Sequence, residues 1–366
     1  MVHTTLRRLG VVSCCLFLSS CQRDAFATGS GTMYLGAAGA WQTAYGQMAH
    51  RGIDMAVEEL NQQGGPQKQT VSVIFRDDQA EGDLAARIAR EFVDDTRIVG
   101  VIGHLSSGAM VAAARVYDGE LPALSPSTTS PDLSGVSRWL FRLTPSDSMT
   151  GRKLGELAQR QAANKRVAVI YDNTSYGRGL VEPFLDALGL APVALEPIDP
   201  SGDSIAVNVA SIARHRPDIV FAVGTVSGPP VLKALRAQGI TAPVIAGDGW
   251  SGIEASMPVS NVAIALPFSS TEDRPDAKRF VAAFRARYRV DPDAYAALSY
   301  DATIALARAA TAGGSRAGTR SVLASMRDSR GYATGAVRFS QTGDPIGRSM
   351  NLLRIDGATR SFGEMP

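Results

Sequence analysis

From residue 33 onward, short apolar runs alternate with amphipathic segments, and this alternation constrains the fold more than any other feature of the chain. Runs at residues 33–39, 71–75, 98–103 and 122–124 are of strand length. The segments between them, 45–63, 84–94 and 108–118, have helical spacing. In the first of these Ala49, Ile53, Ala56, Val57 and Leu60 fall on one face, and Gly64-Gly65 follows where a helix would stop. A strand that feeds a helix and then another strand pairs in parallel, with helices covering both faces of the sheet. The series restarts after Thr144, with strands expected at 167–171, 193–197, 219–223, 244–246 and 262–266. Its helices are expected at 179–188, 205–214 and 231–238. Residues 275–327 read as almost all helix, including one helix over 294–312. The tail, 332–355, reads as two strands around the turn Gln341-Thr342-Gly343-Asp344. The expected class is α/β, with two units built on parallel sheets. No low-complexity linker divides them, so the chain should cross between them several times.

A length of 366 residues supports two domains, and 45% hydrophobic with 20% charged residues is ordinary for a globular chain. The formal net charge of +2 comes from dispersed residues, without the clustered basic face that nucleic acid requires.

The first residues differ. Arg7 and Arg8 precede an apolar run over 9–18, with the length and flanks of a signal peptide. Leu18-Ser19-Ser20-Cys21 then resembles the bacterial lipoprotein processing box. That resemblance implies removal of residues 1–20 and acylation of Cys21. Ala25-Phe26-Ala27 offers an alternative cleavage that would remove residues 1–27. Either route takes the protein out of the cytoplasm to the periplasm or cell envelope, with lipid as the expected tether. The three cysteines, Cys14, Cys15 and Cys21, all lie in this region, so the folded body is expected to rely on its core rather than on disulfides.

Catalytic patterns are weak. Gly247-Asp248-Gly249-Trp250-Ser251-Gly252 has the spacing of a dinucleotide loop, but Trp250 would crowd a pyrophosphate. The next strand also ends without an acid for a ribose. His50, His104 and His215 are isolated, so no zinc pair is formed and each reads as a surface or packing residue. No nucleophile elbow or phosphate-cradling loop is present. Asp77-Asp78 is read as helix capping or solvent exposure, because adjacent side chains on a strand point to opposite faces. The chain is therefore expected to be a binding protein rather than an enzyme, with no cofactor and no metal.

In open α/β sheets ligands bind beyond the carboxyl ends of the strands. Those ends are residues 39–45, 104–107, 125–129, 172–176, 224–227 and 247–250. They gather hydroxyls, aromatic rings, backbone N–H groups and Asp248, an inventory that suits a zwitterion. Helix N-termini and hydroxyls can hold a carboxylate. Asp248 can hold an ammonium, and Tyr45, Tyr176 and Trp250 can wall a side-chain pocket or stack on a cation. Each has a plainer reading: Ser106 and Ser107 as helix caps, Tyr45 and Tyr176 as packing under loops, and Asp248 as the anchor of a tight turn.

The segments "YGQMAHRGIDMAVEELNQQGG", "VIGHLSSG", "LPALSPSTTSPDL", "VAVIYDNTSYGRGL" and "LKALRAQG" together resemble the periplasmic leucine/isoleucine/valine-binding proteins, in order and over essentially the whole chain after the signal. The resemblance implies a type 1 periplasmic binding fold, two Rossmann-like lobes with parallel sheets joined by three hinge crossovers. Lobe 1 would hold residues 28–145 and 269–330, and lobe 2 residues 146–268 and 331–366. It further implies a monomer that closes over one amino acid and delivers it to an inner-membrane ABC permease. Carried over by residue, it puts Ser107 at the hydroxyl of a carboxylate-binding loop, with Leu105 on the pocket wall. Thr129 would give its N–H to the carboxylate and its hydroxyl to the ammonium, and the carbonyl of Ser127 would accept a further ammonium proton. Asp248 takes the place of the acidic ammonium partner, Tyr45 and Tyr176 take aromatic positions, and Tyr295 stands where the family has a phenylalanine. Departures are Thr225-Val226-Ser227 where leucine-type members carry a tyrosine, and Ala80 and Ser106 where some members carry cysteines. Side-chain preference does not carry over, and a non-transport sensor or envelope-enzyme regulator of the same fold is the alternative role.

Overall fold

The computed structural model describes residues 31–199 and 202–365. Residues 1–30, with the expected signal segment and Cys21, lie outside this range. Among the described residues no helix is long and apolar enough to cross a membrane.

The first series forms β1 (Thr32–Gly39), α1 (Ala44–Gln62), β2 (Thr70–Asp77), α2 (Gly82–Asp94), β3 (Ile98–Gly103), α3 (Ser107–Tyr117), β4 (Ala123–Ser125) and β5 (Leu140–Arg142). Its sheet has the order β2-β1-β3-β4-β5, parallel throughout. All six residues of β3 are buried, as a central strand covered on both faces demands.

The second series is α4 (Asp147–Gln161), β6 (Val167–Asp172), α5 (Ser175–Leu188), β7 (Ala194–Ile198), α6 (Ile205–Arg214), β8 (Ile219–Val223), α7 (Gly228–Ala237), β9 (Val244–Ala246) and β10 (Val262–Leu266). Then come the helices α8 (Pro275–Tyr288), α9 (Ala294–Gly313) and α10 (Arg316–Ser325). The short strands β11 (Arg327–Asp328) and β12 (Val337–Arg338) lead to a final hairpin, β13 (Asn351–Asp356) and β14 (Thr359–Glu364). The second sheet runs β14-β13-β10-β9-β8-β6-β7, parallel from β7 to β10 and antiparallel through the hairpin.

Within the two α/β series, α4 and β5 have no counterpart among the expected elements. The buried face of α4 is made partly of Thr150, Gly151 and Gly155, so its apolar period is faint. Those small residues serve close packing on α5, since a Cβ on Gly151 would stand 2.5 Å from the Leu180 carbonyl oxygen. The tail also differs. The turn 341–344 sits between Phe339 and Pro345, which form a single bridge, while the true hairpin lies further on.

The chain passes between the two sheets three times: after β5, after β10 and before β13. The helices after β10 cover the first sheet, where Phe268, Phe280 and Phe284 join Met33 and Leu35 in one core. Tyr332, Val337 and Phe339, expected with the second lobe, pack in that same first core, and Phe339 lies 5.1 Å from Phe141 between ring centroids. Only from Met350 onward does the tail join the second core. The first and third crossings are tied together. The Arg142 N–H donates to the Gly343 carbonyl at 3.0 Å, and Arg142 Nε donates to Asp344 Oδ1 at 2.7 Å.

Candidate ligand-binding site

The carboxyl ends of both sheets turn their loops toward one cleft, and helix caps set most of the side chains in it. Thr43 caps α1 by accepting from Gly46 N at 3.0 Å, which puts Tyr45 in the first turn. Thr174 does the same for α5 with Gly177 N at 3.1 Å and sets Tyr176. Asp293 caps α9 through Ala296 N at 2.9 Å and sets Tyr295. Ser106 caps α3, leaving Ser107 as its first residue.

The loops of the first sheet are stitched to one another. Ser127 Oγ donates to the Leu105 carbonyl at 2.7 Å, and Ser125 Oγ donates to the His104 carbonyl at 2.8 Å. Ser107 Oγ accepts from the backbone N–H groups of Thr129 and Ser130, both at 3.3 Å. The Thr129 N–H expected to face a carboxylate is thus held by Ser107 here. Beneath this loop His104 is fully buried, with Nδ1 2.6 Å from Asp78 Oδ2 and Nε2 3.1 Å from the Tyr117 hydroxyl. Asp78 is therefore neither exposed nor a simple cap: it anchors His104, because the strand end dips under the loop.

On the second sheet Tyr176 donates to Asp248 Oδ1 at 2.9 Å and accepts from Gly249 N at 3.0 Å. Gly247 makes this possible, since a Cβ there would stand 2.5 Å from the Tyr176 hydroxyl. Asp172 accepts from the Thr225 N–H at 3.2 Å.

A cavity of about 370 Å³ opens between these loops. Its lining includes Tyr45, Leu105, Ser107, Ser127, Tyr176, Asp248 and Tyr295, joined by Asp172 and Thr225. Tyr45 and Tyr295 meet with ring centroids 5.1 Å apart. Two expected residues are not among the lining. Trp250 packs into the core of the second sheet, because the turn over Asp248–Trp250 sends its indole under Gly228 rather than toward the cleft. Thr129 is buried just behind Ser107, and its hydroxyl has no hydrogen-bond partner. A larger depression of about 540 Å³ opens beside Met33, Tyr34 and Arg97, but no carboxylate lines it.

The sequence reading also missed Asp147. It is fully buried in the first turn of α4, and neither carboxyl oxygen has a partner. Burial, then the nearby Asp248, pushes its carboxyl well above the usual range. Asp248 itself is pushed up to about 6 by burial, against the Tyr176 hydrogen bond, which lowers it. Burial also raises Asp172. The Tyr176 and Tyr295 phenols are held neutral by burial, reinforced by Asp248. The cleft therefore offers carboxylates on the side of Asp248, and hydroxyls with the N-terminus of α3 on the side of Ser107. A small solute bearing both charges matches that polarity. Among the described residues no group of three or more His, Cys, Asp or Glu could hold a metal ion.

The sequence model for periplasmic binding proteins matches residues 34–360. The chain belongs to the periplasmic binding protein family. It is 28% identical to a Leu/Ile/Val-binding protein homologue of Brucella abortus over 312 residues, 82% of this chain and 83% of that one. The branched-chain amino acid transporter substrate-binding protein LivJ of Streptococcus pneumoniae, solved with isoleucine, superposes with a TM-score of 0.85 at 25% identity. The match covers 91% of this chain and 99% of that one. An ABC transporter substrate-binding protein of Desulfitobacterium hafniense, solved with leucine, has a TM-score of 0.75 at 29% identity, covering 90% and 99% of the two chains. The two-lobed type 1 architecture expected from the sequence is the one the chain adopts.

Proposed function

We propose that this protein is an extracytoplasmic solute-binding protein that captures one amino acid, branched-chain or related, between its lobes and delivers it to an inner-membrane ABC permease. The observation that carries the reading is the cavity in which Ser107 and Ser127 of one sheet face Asp248 and Tyr176 of the other. Its volume falls at the small end of the range for solute sites, about 300–1,000 Å³. In this reading the ligand carboxylate sits at the N-terminus of α3, competing for Ser107 and the Thr129 N–H, while Asp248 takes the ammonium. Tyr45, Leu105 and Tyr295 surround the side chain. The ligand touches both lobes and so stabilises the closed arrangement by contacts an open one lacks.

In the same reading lobe 1 comprises residues up to 145 and from 269, and the third crossing falls between Phe339 and Met350, as their packing supports. Acylation of Cys21 would tether the protein to the membrane, and labelled palmitate should enter the wild type and not Cys21→Ser.

A thermal-shift screen of the mature protein against amino acids and their amides tests the function. A ligand present at about 100 times its Kd should add about 2.7 kcal/mol to folding stability. A melting temperature unmoved by every zwitterion would remove the reading.

A further inference from the structure

Two unsatisfied polar side chains meet behind the cavity. Thr129 Oγ1 and both carboxyl oxygens of Asp147 are buried without hydrogen-bond partners. They belong to adjoining segments, since the Asp147 N–H donates to the Thr129 carbonyl at 2.8 Å. Burying a carboxyl without a partner is costly, and such groups rarely persist without a task.

The ordinary duties of an acid at this position are taken by others. Ser146 caps α4 by accepting from Ser148 N, so Asp147 is not the cap. The neighbouring cation, Arg142, spends its donors on Asp344, the Ser130 carbonyl and Ser134 Oγ. No backbone N–H reaches the Asp147 carboxyl, which faces Thr129 and lies close enough to Asp248 for the two charges to interact.

We propose that Asp147 is the positioning residue that makes the site select for an ammonium group, acting through Thr129. The inference rests on the amino-acid reading above. In the occupied site the Asp147 carboxylate accepts the Thr129 hydroxyl proton, and a Thr129 lone pair is left facing the ligand. A hydroxyl free to rotate could serve either as donor or as acceptor. Fixed by Asp147 it is an acceptor only, which suits an ammonium and offers nothing to a plain carboxylate. The second negative charge beside Asp248 adds to the same preference, and the ammonium in turn compensates a carboxyl that is uncompensated in the empty site.

The test compares L-leucine with 4-methylpentanoate, which is leucine without its amine, by calorimetry on wild type and Asp147→Asn. The asparagine keeps the shape and removes the charge. Leucine affinity should fall at least 10-fold, and that for 4-methylpentanoate should not fall. In a Thr129→Val background the same substitution should lower leucine affinity by a smaller factor than in the wild-type background. Without ligand, Asp147→Asn should melt at or above the wild-type temperature, because an unpartnered buried carboxyl has been replaced by a group that carries no charge at any pH. Equal losses for both probes, an undiminished effect in the Thr129→Val background, or a lower melting temperature would each overturn the proposal. Failure of the wild type to bind leucine or any other amino acid would instead overturn the functional reading on which it rests.

Discussion

In the proposed site Asp248 takes the ammonium, and its surroundings set its charge. Burial lifts its carboxyl to about 6, and the Tyr176 hydroxyl draws it back down. An ammonium binds the ionised form, so amino-acid affinity should be full above pH 7 and fall as pH drops through about 6. Tyr176→Phe removes a donor to the ionised form, so the fall should begin at a higher pH, and binding at pH 7 should weaken by about 1 kcal/mol. Calorimetric titrations at several pH values follow both effects. Asp248→Ala and Thr129→Ala should each cost about 1–3 kcal/mol of binding, the loss expected for a buried polar partner. Unchanged affinity in both would remove the clamp. Trp250 shows where reading residues one by one stops. It follows Asp248 by two positions, but the turn directs its indole into the core of the second sheet. No sequence rule gives the direction in which a short turn aims its third side chain.

Elements rather than loops hold the aromatic side chains of the proposed clamp. Tyr45, Tyr176 and Tyr295 each stand in the first turn of a capped helix. Loss of a cap should therefore move a ring as well as weaken a helix. Asp293→Ala removes the acceptor for Ala296 N and should cost about 1 kcal/mol of stability by denaturant unfolding, together with reduced amino-acid affinity. Affinity kept intact would show that Tyr295 is held by packing alone. At this scale much of the fold was legible: β3, α6, β8, β9 and β10 fall where the apolar runs place them. That the loops carrying Tyr45, Ser107, Ser127 and Asp248 would gather around one cavity was legible too, since they leave the carboxyl ends of the strands. Asp147 was not. It heads a helix whose buried face is built of glycine, threonine and leucine, so neither the helix nor its first acid stood out.

Across the whole molecule, binding and stability should respond to pH with opposite signs. Burial raises the carboxyls of Asp147 and Asp172, that of Asp248 to about 6, Asp293 to about 7 and Asp301 to about 6. A carboxyl raised in the folded state binds its proton more tightly there than in the unfolded chain. Its contribution to stability is complete below the unfolded value and is lost as pH rises through the folded one. The ligand-free protein should therefore melt at a higher temperature near pH 5 than near pH 8, while its amino-acid affinity falls over the same interval as pH is lowered. Asp301 extends the effect to the crossings: it accepts from Ala333 N and Thr334 N at 2.7 Å each, beside Arg348, which donates to Thr334 Oγ1 at 2.7 Å. Half-buried acids with lowered values, such as Asp95 and Asp218, lose their contribution only in more acid solution. A maximum melting temperature at or above pH 8 would contradict this balance. The most direct measurement of the central claim is a calorimetric titration of the mature protein with leucine, isoleucine and valine beside 4-methylpentanoate. One-to-one binding of at least one amino acid, with 4-methylpentanoate at least 10-fold weaker, is the result expected. Binding of 4-methylpentanoate as tight as that of any amino acid, or no binding of an amino acid at all, would contradict it.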